Sequence, residues 1–224
     1  MNLSRLILPQ VCVLCGVNVE EAYFCAACKT DLPWIATACE KCGQPLPAGT
    51  LCADCQLDPP QFEKAVAPLL YTFPVDSALK ALKFKRQLYF APAFGDLLLP
   101  LLEDKFPDVD ALLPVPLHRF RHASRGFNQA TELSRPLRGK SGLALVRNVV
   151  RVRATPPQTG LHAAERRRNM AAAFEVCGAL KARHLLVIDD VITTGETCRQ
   201  LSAALLAAGA RKVSVLAIAR AGSA

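Results

Sequence analysis

The stretch that decides the fold is "LLVIDDVITTGET", Leu185–Thr197. Four apolar residues run into two adjacent carboxylates, and a Thr- and Gly-rich loop follows at once. A short apolar run bounded by turn residues reads as a strand buried on both faces. Burial and like-charge repulsion both disfavour ionised acids at such a place, so cationic or hydroxyl-bearing groups are expected opposite Asp189 and Asp190. The loop leads into "TCRQLSAALLAAGA", a helical pattern with Gly209 placed to cap its end. A Thr/Gly loop at a helix N-terminus gathers backbone N–H groups and hydroxyls where the helix dipole favours negative charge. Phosphate at the loop, and a diol or magnesium at the acids, together describe a ribose 5-phosphate.

Outward from this stretch, apolar and amphipathic segments alternate. "KVSVLAIAR" (212–220) reads as the closing strand and "DALLPVP" (110–116) as a short buried one. "AVAPLLYTF" (65–73) and "LALVRNVVRVR" (143–153) each read as a single strand. "VDSALKALKF", "YFAPAFGDLLLPLLEDKF" and "FNQATELSRPL" read as helices. The strands lack polar alternation, which predicts a parallel sheet flanked by helices on both faces, with ligands at the carboxyl ends of the strands.

Pro59–Pro60 and the end of a cysteine repeat mark a boundary, with a small unit over 1–58 and the α/β unit over 59–224. Residues 1–58 carry three bases against six acids, net −3, which leaves +11 for the rest. Between Arg119 and Arg168 lie twelve bases against Glu132 and Glu165. That field suits a polyanion, a nucleic acid or a small polyphosphate; a merely solvated basic face is the plainer alternative. No apolar run reaches the roughly 18 residues of a spanning helix, and the N-terminal apolar stretch is too short for a secretory signal. A cytoplasmic protein without membrane insertion is expected.

Eight of the ten cysteines fall in residues 12–55 as four C-x-x-C pairs. Cys12, Cys15, Cys25 and Cys28 recur 27 residues on as Cys39, Cys42, Cys52 and Cys55, and Gly16 recurs as Gly43. Two pairs of thiolates complete a tetrahedral zinc site, and two such sites are expected. Disulfides are the alternative, disfavoured in a reducing compartment. Spacing hardly separates sequential from interleaved pairing; the glycine-marked repeat favours sequential sites, each a knuckle followed by a short helix. Four cysteines leave no open coordination position, so both zincs read as structural, supplying folding energy to a unit too small for a large core. Cys177 and Cys198 lack partners at metal spacing and read as reduced, partly buried residues.

The opening stretch resembles the phosphoribosyl pyrophosphate (PRPP) motif of type I phosphoribosyltransferases. "LLPVPLH" followed by "RGFNQA", then Gln158-x-x-Leu161, Arg166-x-x-Asn169, Ala173–Phe174 and "LKFK" at Leu82–Lys85, together with the cysteine repeat, resemble the ComF family, which includes the GntX-like proteins. The resemblance covers nearly the whole chain. It implies an α/β type I phosphoribosyltransferase fold with an N-terminal double zinc ribbon of two four-cysteine sites, and a cellular role in DNA uptake during natural competence.

By the same resemblance, Asp189 and Asp190 hold the ribose hydroxyls or nearby magnesium, and are the acids at the reacting centre. Thr193, Thr194, Gly195, Glu196 and Thr197 cradle the 5′-phosphate. Leu117, His118 and Arg119 lie on the loop that takes pyrophosphate, with Arg125 and Asn128 nearby. Arg166 and Asn169 fall in a connection that closes over the ligand. Thr193 stands where the hypoxanthine–guanine branch has an aspartate able to move a proton. The chain ends soon after its last strand, leaving little for a separate base-recognition hood. A PRPP-type ligand is therefore better supported than any acceptor. A different class of function is also open: a module that handles single-stranded DNA through the Arg119–Arg168 face and DNA-uptake proteins through the acidic zinc unit. Aromatics are only 6% of the chain, which argues against tight base stacking.

Overall fold

The computed structural model describes residues 10–20, 22–153 and 173–222. Its centre is a parallel sheet in the order β1 (Ala65–Val66), β8 (Lys212–Arg220), β7 (His184–Ile192), β3 (Ala111–Pro114), β4 (Ala144–Leu145), with β2 (Leu69–Leu70) also pairing β8. The two longest apolar runs form two central strands, whose side chains are covered on both faces.

Alternate side chains of β7 and β8 feed two cores. Leu186, Ile188, Leu216 and Ile218 join the core with α3 (Val75–Lys85), α4 (Phe90–Lys105) and α6 (Gln129–Ser141). Leu185, Val187, Val213 and Val215 pack instead with the helix Glu196–Ala207, here α7. The sheet is thus clad by helices on both sides, as the apolar patterning predicts.

Two segments read as single strands are each divided. "AVAPLLYTF" forms β1 and β2 against different stretches of β8. Pro68 stands between them and has no N–H to give the ladder; its carbonyl accepts from Ile35 N at 2.8 Å. "LALVRNVVRVR" gives β4 to the main sheet, and then β5 (Val149–Arg151) pairs antiparallel with β6 (Phe174–Val176). Asn148 makes the break, its Nδ2 donating to Cys177 O at 3.1 Å and Ala179 O at 3.2 Å. This small second sheet is built from internal residues rather than from the chain's end. A short helix, α5 (Arg119–Arg125), also lacked any sequence signal that separated it from the loop before it.

The helices α4 and α6 cross closely. A Cβ on Gly95 would lie 2.5 Å from Pro136 Cγ, so only glycine lets the two helices approach. Gly95→Ala is expected to destabilise the fold by about 1–3 kcal/mol through overpacking, measured by denaturant unfolding.

The cysteine unit is stitched to the sheet edge. Leu70 N donates to Pro33 O, and Ala65 N donates to Lys41 O at 2.9 Å. Phe24 and Leu32 enter the same core as α3 and α4. Among the described residues, no helix is long and apolar enough to cross a membrane.

Candidate functional site

The cysteines form two clusters, Cys12/Cys15/Cys25/Cys28 and Cys39/Cys42/Cys52/Cys55, with all ligand atoms of each within 4.8 Å of one another. Pairing is therefore sequential. The Cys15–Cys25 sulfurs lie 3.8 Å apart and the Cys42–Cys52 sulfurs 3.6 Å. Tetrahedral zinc with bonds of about 2.3 Å requires sulfurs about 3.8 Å apart, so the donor sets fit two zinc ions. Gly16 (φ 76°) and Gly43 (φ 69°) take the left-handed turn of each knuckle. Burial works to raise the Cys12 thiol, but backbone N–H groups of Cys25, Cys15 and Leu14 bring it down to about 6. Cys39 is treated alike by the backbone of Cys52, Cys42 and Lys41, down to about 7. Each short helix, α1 (Ala26–Thr30) and α2 (Ala53–Leu57), starts inside the second C-x-x-C pair rather than after it.

The acidic pair lies just inside the carboxyl end of β7. The pleat turns Asp190 towards α3 and α6, where Lys83 Nζ pairs with its Oδ2 and Gln129 Nε2 donates to its Oδ1 at 3.2 Å. Gln129 in turn accepts from Arg125 Nη1 at 3.0 Å. Asp190 is 3% exposed, so its carboxylate meets a network of protein donors and little solvent. Asp189 lies on the α7 side, partly open, its Oδ1 accepting from Asp190 N at 2.8 Å. Burial first, and the neighbouring Asp190 charge second, push its carboxyl well above the usual carboxylate range. The same Asp189 charge adds to burial in raising the Cys198 thiol, leaving Cys198 an inert core residue; Cys177 is exposed instead.

The raised Asp189 predicts a stability cost with a definite sign. Above its folded pKa the ionised carboxylate destabilises the fold in full. As pH falls through that value the native state takes up a proton before the unfolded chain does, and stability is regained. Asp189→Asn is expected to stabilise the protein by on the order of 1 kcal/mol at neutral pH and to flatten this dependence, as read from melts at several pH values.

Beyond β7, Thr193 and Thr194 are exposed and Gly195 (φ 79°) caps α7 in the left-handed region. Thr194 Oγ1 accepts from Glu196 N at 3.4 Å, and the first-turn amides, including that of Thr197, face the loop. Arg220, 5% exposed, braces the loop from behind, donating to Ile192 O at 3.1 Å and to Thr193 O.

The segment after β3 is brought alongside the acids, since Pro114 pairs with Ile188 and Val115 N donates to Ile188 O at 2.9 Å. Asn128 serves this loop structurally: its Nδ2 donates to Val115 O and its Oδ1 caps α6 at Ala130 N. His118 is buried, and its Nδ1 has no partner among the described residues. Leu117 and Arg119 border a cavity of 610 Å³ that also takes Arg135, Arg147 and Arg151. A second cavity of 530 Å³ shares Arg135 and Arg147 and adds Arg138. Arg166, Asn169 and the Gln158–Leu161 motif lie outside the described residues.

Three residues central to this geometry went unassigned by sequence reasoning. Lys83 sits within "LKFK" and Gln129 within "RGFNQA", so the motifs pointed to both without giving their role. Arg220 looked like the polar end of a strand.

Comparison with known proteins covers both parts of the chain. A family described as Double zinc ribbon domain matches residues 3–56. DNA utilization protein YhgH of Salmonella typhi is 33% identical, over 96% of this chain and 99% of that protein. Competence protein F of Haemophilus influenzae is 31% identical, over 94% of this chain and 90% of its own length. YhgH of Escherichia coli K12 is 33% identical over the same shares as the Salmonella protein. Among solved structures, an allosteric regulatory enzyme of purine biosynthesis aligns at TM-score 0.37 and 18% identity, over 57% of this chain and 25% of that one.

Proposed function

Since the chain belongs to the ComF family, that of competence protein F and DNA utilization protein YhgH, we propose that it binds PRPP in a phosphoribosyltransferase-type site and serves the handling of incoming DNA in the cytoplasm. The observation that carries this reading is the meeting of three parts at the carboxyl end of the central strands. These are the Thr193–Thr197 loop at a helix N-terminus, the Asp189–Asp190 pair, and the post-β3 loop hydrogen-bonded beside them.

In this reading the loop amides and the Thr193, Thr194 and Thr197 hydroxyls take the 5′-phosphate. Asp189, the partly open acid, accepts from the ribose diol. Asp190, held by Lys83 and Gln129, fixes the strand end and the α6 side of the site. The pyrophosphate lies along Leu117–Arg119, where Arg119 offsets its charge. Asp189 would hold magnesium beside the ligand, and the ion would supply charge neutralisation at the leaving group. Breaking the C1–oxygen bond needs no protein nucleophile, only such charge stabilisation and exclusion of water. The unit over 1–58 carries two structural zincs and, being acidic, docks protein partners of DNA uptake; residues 59–224 carry the ligand.

Pyrophosphate release tests the transfer step. The zinc-loaded protein with PRPP and magnesium is expected to release pyrophosphate when the correct acceptor is supplied, among nucleobases, nucleosides and single-stranded DNA. PRPP that binds and is never consumed with any acceptor would make it a regulatory ligand instead.

One feature favours a second reading, a non-catalytic single-stranded DNA module. The adjoining cavities place Arg119, Arg135, Arg138, Arg147 and Arg151 along the β4 edge, a track suited to a phosphate backbone. Binding of an oligonucleotide should then weaken steeply with salt, and Arg135→Ala/Arg147→Ala should lower the slope by about 1–2. A negligible slope counts against this reading.

A further inference from the structure

The two cysteine clusters are equivalent by repeat but not by neighbourhood. The first borders a cavity with Phe73, Pro74, Ala78 and Phe90, on the α3 and α4 side. The second abuts the phosphate loop. A small cavity of 60 Å³ is lined by Cys42 and Cys55 of the cluster, by Thr194 and Gly195 of the loop, and by Arg199 and Arg220.

The second knuckle is also fastened to its surroundings at three points. Lys41 O accepts from Ala65 N, and Lys41 Nζ donates to Glu63 O at 3.0 Å. A Cβ on Gly43 would come within 3.1 Å of Ala65 O, so the knuckle lies directly on β1. At the end of α2, Asp58 O accepts from Arg199 Nη2 at 2.6 Å, and Arg199 belongs to the first turn of α7. Arg220 uses Nη1 to hold the carbonyls of Ile192 and Thr193, while its buried Nε has no partner among the described residues. Cys42 and Cys55 line the same cavity as Arg220.

The geometry points to the second cysteine cluster, through Arg199 and Arg220, as the element that positions the phosphate loop, so that phosphate affinity follows the metal occupancy of this cluster and not of the first. Zinc would fix Cys52 at the N-cap of α2 and Cys55 within it; α2 fixes Asp58; Asp58 and Arg199 fix the start of α7, whose amides face the phosphate. Without the metal, five residues of helix cannot hold that end in place. The affinity arm of the test rests on the function proposed above; the exchange arm does not.

Cys52→Ser and its repeat equivalent Cys25→Ser are compared with the wild type in the full chain, by zinc content, amide hydrogen exchange over 193–199 and calorimetric titration with PRPP and magnesium. Cys52→Ser is expected to speed exchange over 193–199 and to weaken binding by on the order of tenfold, whereas Cys25→Ser leaves the loop's exchange within about twofold of wild type. Arg199→Ala keeps every cysteine and both zincs, so it decides the matter should a cysteine variant fail to fold. It is expected to speed loop exchange and weaken binding about fivefold, with partial rescue by Arg199→Lys. Unchanged loop exchange in both Cys52→Ser and Arg199→Ala, or equal losses in the two cysteine variants with none in Arg199→Ala, would overturn the assignment. If the wild type binds no PRPP while loop exchange still follows the second cluster, the proposed ligand is wrong and the positioning stands.

Discussion

Lys83→Met is expected to cost the fold on the order of 3 kcal/mol and to weaken ribose-phosphate binding at least about tenfold. Asp190 would keep only its bond from Gln129, and an uncompensated carboxylate would remain in a nearly closed environment. The pair is expensive to break but not essential to stability as such. Lys83→Met/Asp190→Leu exchanges both charges for apolar groups, and most of the lost stability should return, because a buried ion pair and its apolar replacement are often nearly equivalent. Gln129 would then lose an acceptor, a residual loss of about 1 kcal/mol. Binding should not return with stability. Denaturant melts and calorimetry on the single and double variants separate these effects. A double variant that binds as well as wild type would remove Asp190 from the site.

Stripping zinc should have the other large effect. Structural zinc supplies roughly 10–16 kcal/mol of apparent binding energy in isolated fingers, and here the metal units share a core with the main sheet through Phe24 and Leu32. Chelation is therefore expected to lower the melting temperature of the whole chain by on the order of 10–20 °C, as a loss of about 5 kcal/mol would in a domain of this size. A ribbon that merely hung beside the sheet would melt by itself and leave the main transition in place. Scanning calorimetry with and without chelator distinguishes a shift of the main transition from the mere loss of a small one.

The sequence made the sheet legible wherever burial was two-sided. The runs at 184–190 and 212–220 read as buried strands of a parallel sheet, and they form its two longest, central members. At the edges the signal failed for local reasons. Pro68 divides one apolar run, and Asn148 diverts another into a second sheet; neither break alters hydrophobic content. The metal clusters were legible down to their glycine knuckles, because C-x-x-C spacing encodes geometry directly; their pairing needed three dimensions. The site was legible as a loop and two acids. What remained hidden was that Asp189 and Asp190 have different neighbours. A doublet of identical letters says nothing of which carboxylate meets Lys83 and Gln129 and which remains partly open. Arg220 was hidden for the same reason, its value lying in carbonyls 27 and 28 residues away.

Calorimetric titration of the zinc-loaded protein with PRPP and magnesium tests the central claim most directly, with Asp189→Asn/Asp190→Asn as the control. The account predicts saturable binding by the wild type and its loss in the doubly substituted, zinc-loaded and folded control. No binding by the wild type, or undiminished binding by the control, would contradict it.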